Sequence, residues 1–485
     1  MTDSKPARRD PFFFLGEINK ASTVMVVEQE IVPRALGKTI ADAVRGVIAA
    51  GDQPGAARAS NYLVCEEALI ALAGPEVTRL HSGRSRQDIG ATIERLASRD
   101  QLMAAAEGLI RVRRTLLTFA AAHRDAILPA YTWGVQAQPI SFGHYCTAYC
   151  AAFTRTSQRV QETYRRLNLS PLGSGALGTS SFPVDRARLA ALLGMDGLVV
   201  NSLDATQISP IDCGSELASI AISAALTIGG VAADITAQYS HAHPWLVMDA
   251  SLTGGSSIMP QKRNPRGLVF LRAQASNVIG LAQTFFLLAH NVQPGMSDYK
   301  PFVDAKQGHH PVMMVRELVA LLGNFGDVLG TIRLDEARAL DEVDADYSMT
   351  TELADILQRD CDIPFRVGHH FASDLVDYGR RNKLRPRDIS YDAARGVYTE
   401  SAAACSFPVT QLPLSEADFR RAMTAQNMVA SSRGTGGPQP DQVVAMLAAE
   451  QAALQADQTW IDDTQARQAQ AARALDAAFE QLRSG

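Results

Sequence analysis

The sequence predicts an all-α protein built around a long, central bundle of helices. Runs rich in Val, Ile and Thr are short and isolated, as at residues 198–200, so strand signals are few. Apolar residues instead recur at helical spacing over long stretches with few breakers. The chain has 485 residues, 46% of them apolar and 20% charged, which is enough for two or three domains with a large core.

Five stretches carry the pattern of a long helix. They are residues 101–123, 145–167, 212–241, 265–290 and 308–331. The third is apolar almost all round, as expected of a helix that is buried on most sides. Helices of roughly 25–30 residues are about 40–45 Å long. That length favours an elongated bundle, and we expect bundles from several subunits to pack together.

Three domains are predicted along the chain. Residues 1–98 form a mainly helical N-terminal domain that ends in a polar loop. Residues 99–340 form the central domain of long helices. Residues 341–485 form a small helical C-terminal domain, which is rich in proline at first. Its last segment, 441–482, is rich in Ala and Gln and is predicted to be a solvated helix.

Charge and composition exclude several classes of partner. The formal net charge of −5 is small for this length and argues against nucleic acid or a membrane surface as the main partner. Residues 1–10 lack the order of a signal peptide, and the most apolar stretch, 217–231, is too short to span a bilayer comfortably. The six cysteines lack C-x-x-C spacing. We expect a cytoplasmic, reduced protein that needs no metal and no cofactor.

The most informative stretch precedes the fourth long helix. Residues 254–265 read Gly-Gly-Ser-Ser-Ile-Met-Pro-Gln-Lys-Arg-Asn-Pro. Glycine allows a backbone to approach a ligand closely. Ser256, Lys262 and Asn264 supply a potential base and two kinds of donor for an oxyanion. This combination in a short loop predicts that residues 254–265, the signature loop, carry the chemistry.

The signature loop resembles that of the fumarase/aspartase superfamily. With glutamine at position 261, the loop resembles the form found in argininosuccinate lyases. Other segments resemble family motifs and occur in the same order. They are His-Ser-Gly-Arg-Ser-Arg-Gln-Asp at 81–88 (the polar loop), Tyr-Thr with Gln-Ala-Gln-Pro within 131–139, the connector at 171–186, and Pro-Phe-Arg with His-His within 364–370. The similarity covers roughly residues 55–440.

The resemblance implies a three-domain subunit and a homotetramer with a twenty-helix core. It implies that each active site is assembled from three loop regions of three different subunits. It also implies cleavage of a C–N or C–O bond β to a carboxylate, usually with release of fumarate.

Such an elimination removes a proton from carbon next to a carboxylate, so fixed donors must stabilise a doubly charged aci-carboxylate. By resemblance, Ser256 is the base, and Lys262 and Asn264 complete the catalytic set. Arg86 offers a fork matched to a carboxylate. The predicted substrate-binding residues are Ser85, Arg86, Gln87, Thr132, Gln136, Ser257, Met259, Tyr299 and Lys306. His81 and His144 are open between a supporting and a purely structural role.

The sequence departs from argininosuccinate lyase where the amine would bind. Trp133 replaces the family histidine, and Val269 replaces the glutamate that orients it. Gln87 stands where the family has asparagine. The segment that holds the guanidino end is replaced by residues 294–302, and the segment at 208–212 also differs. Trp133 and Val269 are therefore predicted to shape the pocket for a different amine.

These observations favour a carbon–nitrogen lyase that cleaves an N-substituted aspartate, argininosuccinate-like or an aminopolycarboxylate, to fumarate and an amine. One alternative is argininosuccinate lyase itself, acting in arginine biosynthesis. An alternative of another class is a non-catalytic, crystallin-like structural homologue. The intact Ser256, Lys262 and Asn264 argue against the structural alternative, which needs none of them.

Overall fold

The computed structural model describes residues 8–59, 61–294 and 310–484. The α-helices are α1 (Pro11–Glu28), α2 (Arg34–Gly51), α3 (Tyr62–Ala73), α4 (Arg86–Ala122), α5 (Phe142–Leu167), α6 (Arg186–Leu192), α7 (Ser209–Ala237), α8 (Arg266–Ala289), α9 (His310–Leu329), α10 (Glu336–Asp344), α11 (Thr350–Cys361), α12 (Phe365–Arg381), α13 (Tyr391–Ala404), α14 (Glu416–Ala422), α15 (Ala425–Ser431) and α16 (Pro440–Ser484). The all-α prediction is confirmed.

In the described part of the chain, three short strand pairs join these helices. The antiparallel pair of β1 (Ile127–Thr132) and β2 (Val135–Ser141) forms a hairpin. Two-residue strands make the others: β3 (Leu169–Ser170) lies parallel to β4 (Gly197–Leu198), and β5 (Leu246–Val247) lies antiparallel to β6 (Arg333–Leu334). The hairpin was not predicted, because its proline and glycine break the alternation that indicates a strand.

The central bundle consists of α4, α5, α7, α8 and α9, which share one hydrophobic core. All five correspond to long helices that were predicted. The first is longer than expected, since α4 begins at Arg86 and has 37 residues. The boundary predicted between residues 98 and 99 therefore falls inside a continuous helix. The boundary between residues 340 and 341 likewise falls inside α10.

The helices α4 and α7 run in the same direction. Arg95, in the third turn of α4, donates to Ser209 Oγ at the start of α7, over 2.9 Å. At the other end, Tyr145 donates to Asp234 near the end of α7, over 2.7 Å. Tyr145 lies in the first turn of α5, which follows the end of α4 and packs against it. The two helices therefore begin at one end of the bundle and finish at the other.

The helix α8 returns in the opposite direction. Its Ala275 lies beside Gly229 in the second half of α7, and its Phe285 lies against Gly214 near the start of α7. A methyl group at position 214 would come within 2.3 Å of the Phe285 ring. The signature loop, which precedes α8, is consequently held at the end of the bundle where α4 and α7 finish.

The run Asp204–Ser240, which contains α7, is long and apolar enough to cross a membrane by length and composition alone. The expectation that this segment is too short was wrong, because the helix extends beyond 217–231 on both sides. Its buried face lies in the core shared with the other bundle helices. Packing, rather than length, is what identifies it as a core helix of the bundle.

The last helix, α16, departs from the domain prediction. It was expected to be a solvated part of the C-terminal domain. Instead its buried residues belong to two other cores: Val443, Leu447 and Ile461 pack in the central bundle, and Leu475 and Phe479 pack against the N-terminal helices. A separate core is built from residues 347–423. Few residues of α16 are apolar and buried, and most of its surface is exposed. The sequence pattern therefore resembles that of a solvated helix.

A buried ion pair fastens α16 to the bundle. The Arg113 guanidinium on α4 is fully buried and donates to Asp457 on α16, which also accepts from Gln161 on α5. Asp457→Ala should therefore lower the free energy of unfolding by about 3 kcal/mol, because it leaves the Arg113 charge buried without its nearest partner. Denaturant unfolding at a fixed protein concentration measures this change.

The matched control is Asp463→Ala on the exposed face of the same helix. It should change the free energy of unfolding by no more than about 0.5 kcal/mol. Equal destabilisation by the two variants would contradict the role given to the Arg113–Asp457 pair.

Candidate active site

The signature loop is closed at its base by a small antiparallel bridge. The Gly254 amide donates to Asn264 O over 2.9 Å, and the Asn264 amide donates to Gly254 O over 2.8 Å. The Asn264 side chain adds a third bond, from Nδ2 to Gly254 O over 3.0 Å. Asn264 was predicted to be catalytic, and in this structure its amide nitrogen also fixes the neck from which the loop projects.

Ser256 lies half-buried in this loop, and its hydroxyl accepts backbone hydrogen bonds. The amides of Ile258 and Met259 point at Ser256 Oγ, over 3.4 and 3.1 Å. Two N–H dipoles aimed at one oxygen favour negative charge on that oxygen. The local turn thus provides the kind of support that a serine must have to act as a base.

The tip of the loop is open to solvent. Ser257, Met259 and Lys262 are exposed, and the Ile258 side chain is 80% exposed. The Lys262 amine has no hydrogen-bond or ion-pair partner among the described residues. An unpaired ammonium group six residues after Ser256 is available to an anionic ligand.

The polar loop presents a second cation. Ser85 caps α4: its Oγ accepts from the Gln87 amide over 3.2 Å. Arg86 is the first residue of that helix and is exposed, and no partner holds its guanidinium within the described residues. A free guanidinium at the N-terminus of a 37-residue helix is suited to bind a carboxylate.

Behind Arg86, the buried residue Asp88 holds the loop. One carboxylate oxygen accepts from the Ser85 amide, and the other accepts from the amides of Gly173 and Gly175 in the connector. Burial raises the pKa of Asp88 to about 6, although these N–H groups and the nearby Arg84 oppose that rise. Asp88 was not among the predicted site residues. The Ser-x-x-Asp spacing of a capping box was the signal that could have identified it.

The histidine of the polar loop, His81, is packed against its own chain. The His81 ring stacks on Tyr62 with 4.3 Å between the ring centroids, beside the buried Arg84. Burial and the Arg84 charge lower the pKa of His81 to about 4. His81 is therefore neutral near pH 7 and is not a proton donor there. The other open histidine, His144, bonds to Gly436 O over 3.1 Å and joins α5 to the segment before α16.

The β1–β2 hairpin carries Thr132 and Trp133 at its tip. Trp133 and Gly134 have φ of 55° and 76°, as both central residues of a type I′ turn require. This left-handed conformation is uncommon for a bulky residue. Thr132 is exposed and Trp133 is 101% exposed, so the tip projects away from the rest of the chain. An exposed aromatic residue held in this conformation is a candidate for a functional role.

Three other predicted residues have different surroundings. Gln136 donates to Val343 O and Ser348 Oγ, over 3.0 and 3.1 Å, so its amide nitrogen holds the hairpin against the C-terminal part of the chain. Val269 is half-exposed on the first turn of α8. Tyr299 and Lys306 lie outside the described residues.

Within one subunit the polar loop and the signature loop are far apart. Arg86 lies at the end of the bundle where α4 begins. The hairpin and the signature loop lie at the end where α4 and α7 finish. The 29 residues of α7 alone separate these ends by about 40 Å. The structure therefore does not bring Arg86 and Ser256 together in one chain.

Among the described residues, there is no group of three or more side chains that could hold a metal ion.

Comparison with protein families gives two matches. The family described as Lyase matches residues 46–280, and the family described as Argininosuccinate lyase C-terminal matches residues 347–430. The argininosuccinate lyase of Methanoculleus marisnigri is 31% identical over 408 residues, which are 83% of this chain and 77% of that protein. The two matches together extend from the N-terminal helices to the C-terminal core.

Solved structures show the same similarity over almost the whole chain. EDDS lyase in complex with formate has a TM-score of 0.85 and 27% identity, covering 98% of this chain and 92% of that one. A variant of EDDS lyase with bound fumarate has a TM-score of 0.84 and 28% identity, with the same coverage. Both structures hold small carboxylates.

The lowered pKa of His81 predicts a pH-dependent stability. The folded protein binds fewer protons than the unfolded chain between the pKa of about 4 and the ordinary value of 6.5. Because of this histidine, the free energy of unfolding decreases as the pH falls from about 6.5 to about 4. His81→Phe keeps the ring stacked on Tyr62 and removes the titration, so the melting temperature should fall less between pH 7 and 5 than in the wild type.

The same substitution at the exposed His370 is the control. His370→Phe should leave the slope of melting temperature against pH unchanged. A wild-type slope in His81→Phe would show that His81 titrates as it does in the unfolded chain.

Proposed function

We propose a substrate class and a mechanism from one premise: the chain belongs to the fumarase/aspartase superfamily, in its argininosuccinate lyase-like group, and is a carbon–nitrogen lyase that forms fumarate. The proposed substrate is an N-substituted aspartate whose amine part does not resemble arginine. Aminopolycarboxylates such as ethylenediamine-disuccinate are the favoured class. The observation that carries the proposal is that the proton-abstracting loop and the free Arg86 are retained, whereas Trp133 and Val269 are apolar.

Binding begins at the carboxylates of the aspartate moiety. The Arg86 guanidinium holds one carboxylate through a bidentate pair, and Ser85, Gln87 and Thr132 add neutral hydrogen bonds. Lys262, Ser257 and Asn264 bind the carboxylate next to the acidic carbon. Both cations are exposed and unpaired in the described structure, so no internal ion pair has to break before a substrate binds.

The chemical step is a β-elimination. Ser256 Oγ removes a proton from the carbon next to the carboxylate, and the electron pair of that C–H bond moves into the carboxylate to give the aci-carboxylate. Lys262 and Asn264 stabilise its added charge. The pair then returns to form the C=C bond of fumarate, and the C–N bond breaks with its electrons on the amine nitrogen. The substrate binds with this nitrogen already protonated as an ammonium group, so a neutral amine leaves, and the proton on Ser256 passes to solvent. The amides of Ile258 and Met259 support Ser256 in its charged form.

The choice of amine rests on the groups that are missing. A guanidinium is recognised by carboxylates with matched geometry. Trp133 and Val269 offer aromatic and aliphatic surface instead, and indole exchanges no proton near neutral pH. A pocket of this kind suits an amine with an alkyl spacer. Trp133 cannot take over the role of the family histidine as a general acid.

We further propose that the protein is a cytoplasmic homotetramer whose sites are shared by three subunits. Exposed apolar side chains on two bundle helices support this: Leu226 on α7, and Phe270 and Leu287 on α8, the last 77% exposed. An antiparallel partner would place its Arg86 end beside the Ser256 end of this subunit. Several such helices packed side by side would also cover the apolar surface.

A second candidate is argininosuccinate itself. The match of residues 347–430 to the C-terminal family and the relative from Methanoculleus marisnigri favour it. The departures at Trp133 and Val269 count against it. Following fumarate absorbance with argininosuccinate and a panel of N-substituted aspartates separates the two candidates. We expect turnover of aminopolycarboxylates and little of argininosuccinate; rapid turnover of argininosuccinate would reverse the preference.

In the same assay, Ser256→Ala should lower kcat by at least about 10³-fold, because the base is removed. Size-exclusion chromatography should show an unchanged oligomer. Ser251→Ala is the matched control: Ser251 donates to Asp249 in a neighbouring exposed turn, so this variant should keep wild-type activity. An active Ser256→Ala enzyme would remove Ser256 from the role of base.

The pocket assignment has its own test in the double variant Trp133→His with Val269→Glu. Restoring an imidazole and its carboxylate partner should change the ratio of kcat/KM between argininosuccinate and aminopolycarboxylates by about tenfold or more. Each single variant serves as a control, because an unpaired glutamate or histidine should not reproduce the full change. An unaltered substrate range would contradict the assignment.

A further inference from the structure

The structure assigns to Asp88 the role of a positioning residue that sets the substrate-binding residues Ser85 and Arg86 by tying the polar loop to the connector. The inference rests on the proposed function, because it takes Arg86 as the group that binds a substrate carboxylate. Asp88 itself is fully buried, so it acts through the residues that it holds.

The first observation is that Asp88 uses both oxygens, whereas a capping box uses one. Oδ1 accepts from the Ser85 amide over 2.8 Å, which completes the cap of α4. Oδ2 accepts from the amides of Gly173 and Gly175, over 2.8 and 3.2 Å. These two residues lie more than eighty positions further along the chain. A side chain needed only to cap a helix would not make this second set of bonds.

The second observation is that the backbone conformation of the connector is tightly constrained at both glycines. Gly173 and Gly175 have φ of 80° and 66°, in the left-handed region that favours glycine. A methyl group at Gly173 would come within 2.8 Å of Val184, and one at Gly175 within 2.8 Å of the Thr179 carbonyl. The two amides are therefore held in one place, and Asp88 is fixed between them and Ser85.

The third observation is that the polar loop and the connector also meet directly. Gly83 has a φ of 73°, and a methyl group there would lie 2.3 Å from Val184. The connector is anchored in turn: Thr206 donates to Ala176 O over 2.7 Å, and Ser202 donates to Leu177 O over 2.8 Å. The polar loop is thus held to a fixed part of the subunit through Asp88.

The consequence concerns Arg86, two residues before Asp88. Its side chain is exposed and has no partner among the described residues, so its direction depends on the backbone that carries it. Without the carboxylate at position 88, the Ser85 amide and the connector amides are no longer joined through one side chain. The guanidinium then samples more positions and binds a carboxylate less well.

The test is Asp88→Asn in the full-length enzyme, with Asp335→Asn as the control. Asp335 caps α10 through the Arg338 amide and lies outside both the polar loop and the connector. In Asp88→Asn we expect the inhibition constant of fumarate and the KM of the substrate to rise about tenfold or more, with a smaller change in kcat. Asp335→Asn should leave both constants unchanged. An Asp88→Asn enzyme with wild-type constants would overturn the inference.

Hydrogen exchange gives a readout that needs no substrate. The amides of Ser85, Gly173 and Gly175 bind the two oxygens of one carboxylate, so in the wild type they should open together, with similar protection. In Asp88→Asn, residues 82–88 and 171–177 should both exchange faster, and in Asp335→Asn neither should. Protection of the connector amides with free exchange at Ser85 would refute the link, even if Asp88→Asn does not fold.

The two readouts separate this inference from the proposed function. If the wild type converts no N-substituted aspartate and binds no fumarate, the proposed function fails, while joint protection of the three amides would still support Asp88 as the link. If turnover occurs and protection is not shared, only the role of Asp88 fails.

Discussion

The chemistry of this protein is constrained by the length of its rigid helices. Arg86 occupies the first turn of α4, whose 37 residues extend about 55 Å. The hairpin with Thr132 follows the other end, and Ser256 projects beside the end of α7. A substrate only a few ångströms long cannot reach both Arg86 and Ser256 of one chain. Either the two ends meet in an assembly of antiparallel subunits, or the loops do not serve one reaction. The apolar side chains left exposed on α7 and α8 favour the assembly.

Each end of the bundle prepares its polar groups by the same physical means. Backbone N–H groups do most of the work: Ile258 and Met259 point theirs at Ser256, while Asp88 accepts from Ser85, Gly173 and Gly175. Backbone dipoles fixed by a loop lose little entropy on binding, so they hold charge better than mobile side chains do. The two side chains proposed to bind the substrate, Arg86 and Lys262, have no partner among the described residues.

Sequence reasoning succeeded where one periodic pattern dominates. The five long helices and the family followed from apolar spacing and from motifs such as residues 254–265. The prediction failed where buried polar groups interrupt the apolar pattern. The start of α4 was placed fifteen residues too late, because Asp88, Arg95 and Arg99 are polar in sequence but buried and hydrogen-bonded in the structure. The hairpin was missed because proline and glycine break its alternation and because Trp133 occupies a turn position that usually holds Asn or Asp. The burial of α16 was missed because its apolar stripe is sparse.

The central claim is that one active site takes Arg86 and Ser256 from different chains. Complementation between two inactive variants tests it most directly. Arg86→Ala and Ser256→Ala proteins are prepared separately, mixed in equal amounts, dissociated and reassembled, and fumarate formation is measured. If the residues come from different chains, roughly a quarter of the sites regain both native residues and activity recovers to about that fraction. No recovery in mixtures that have reassembled fully would contradict the claim, because a site within one chain gains nothing from mixing.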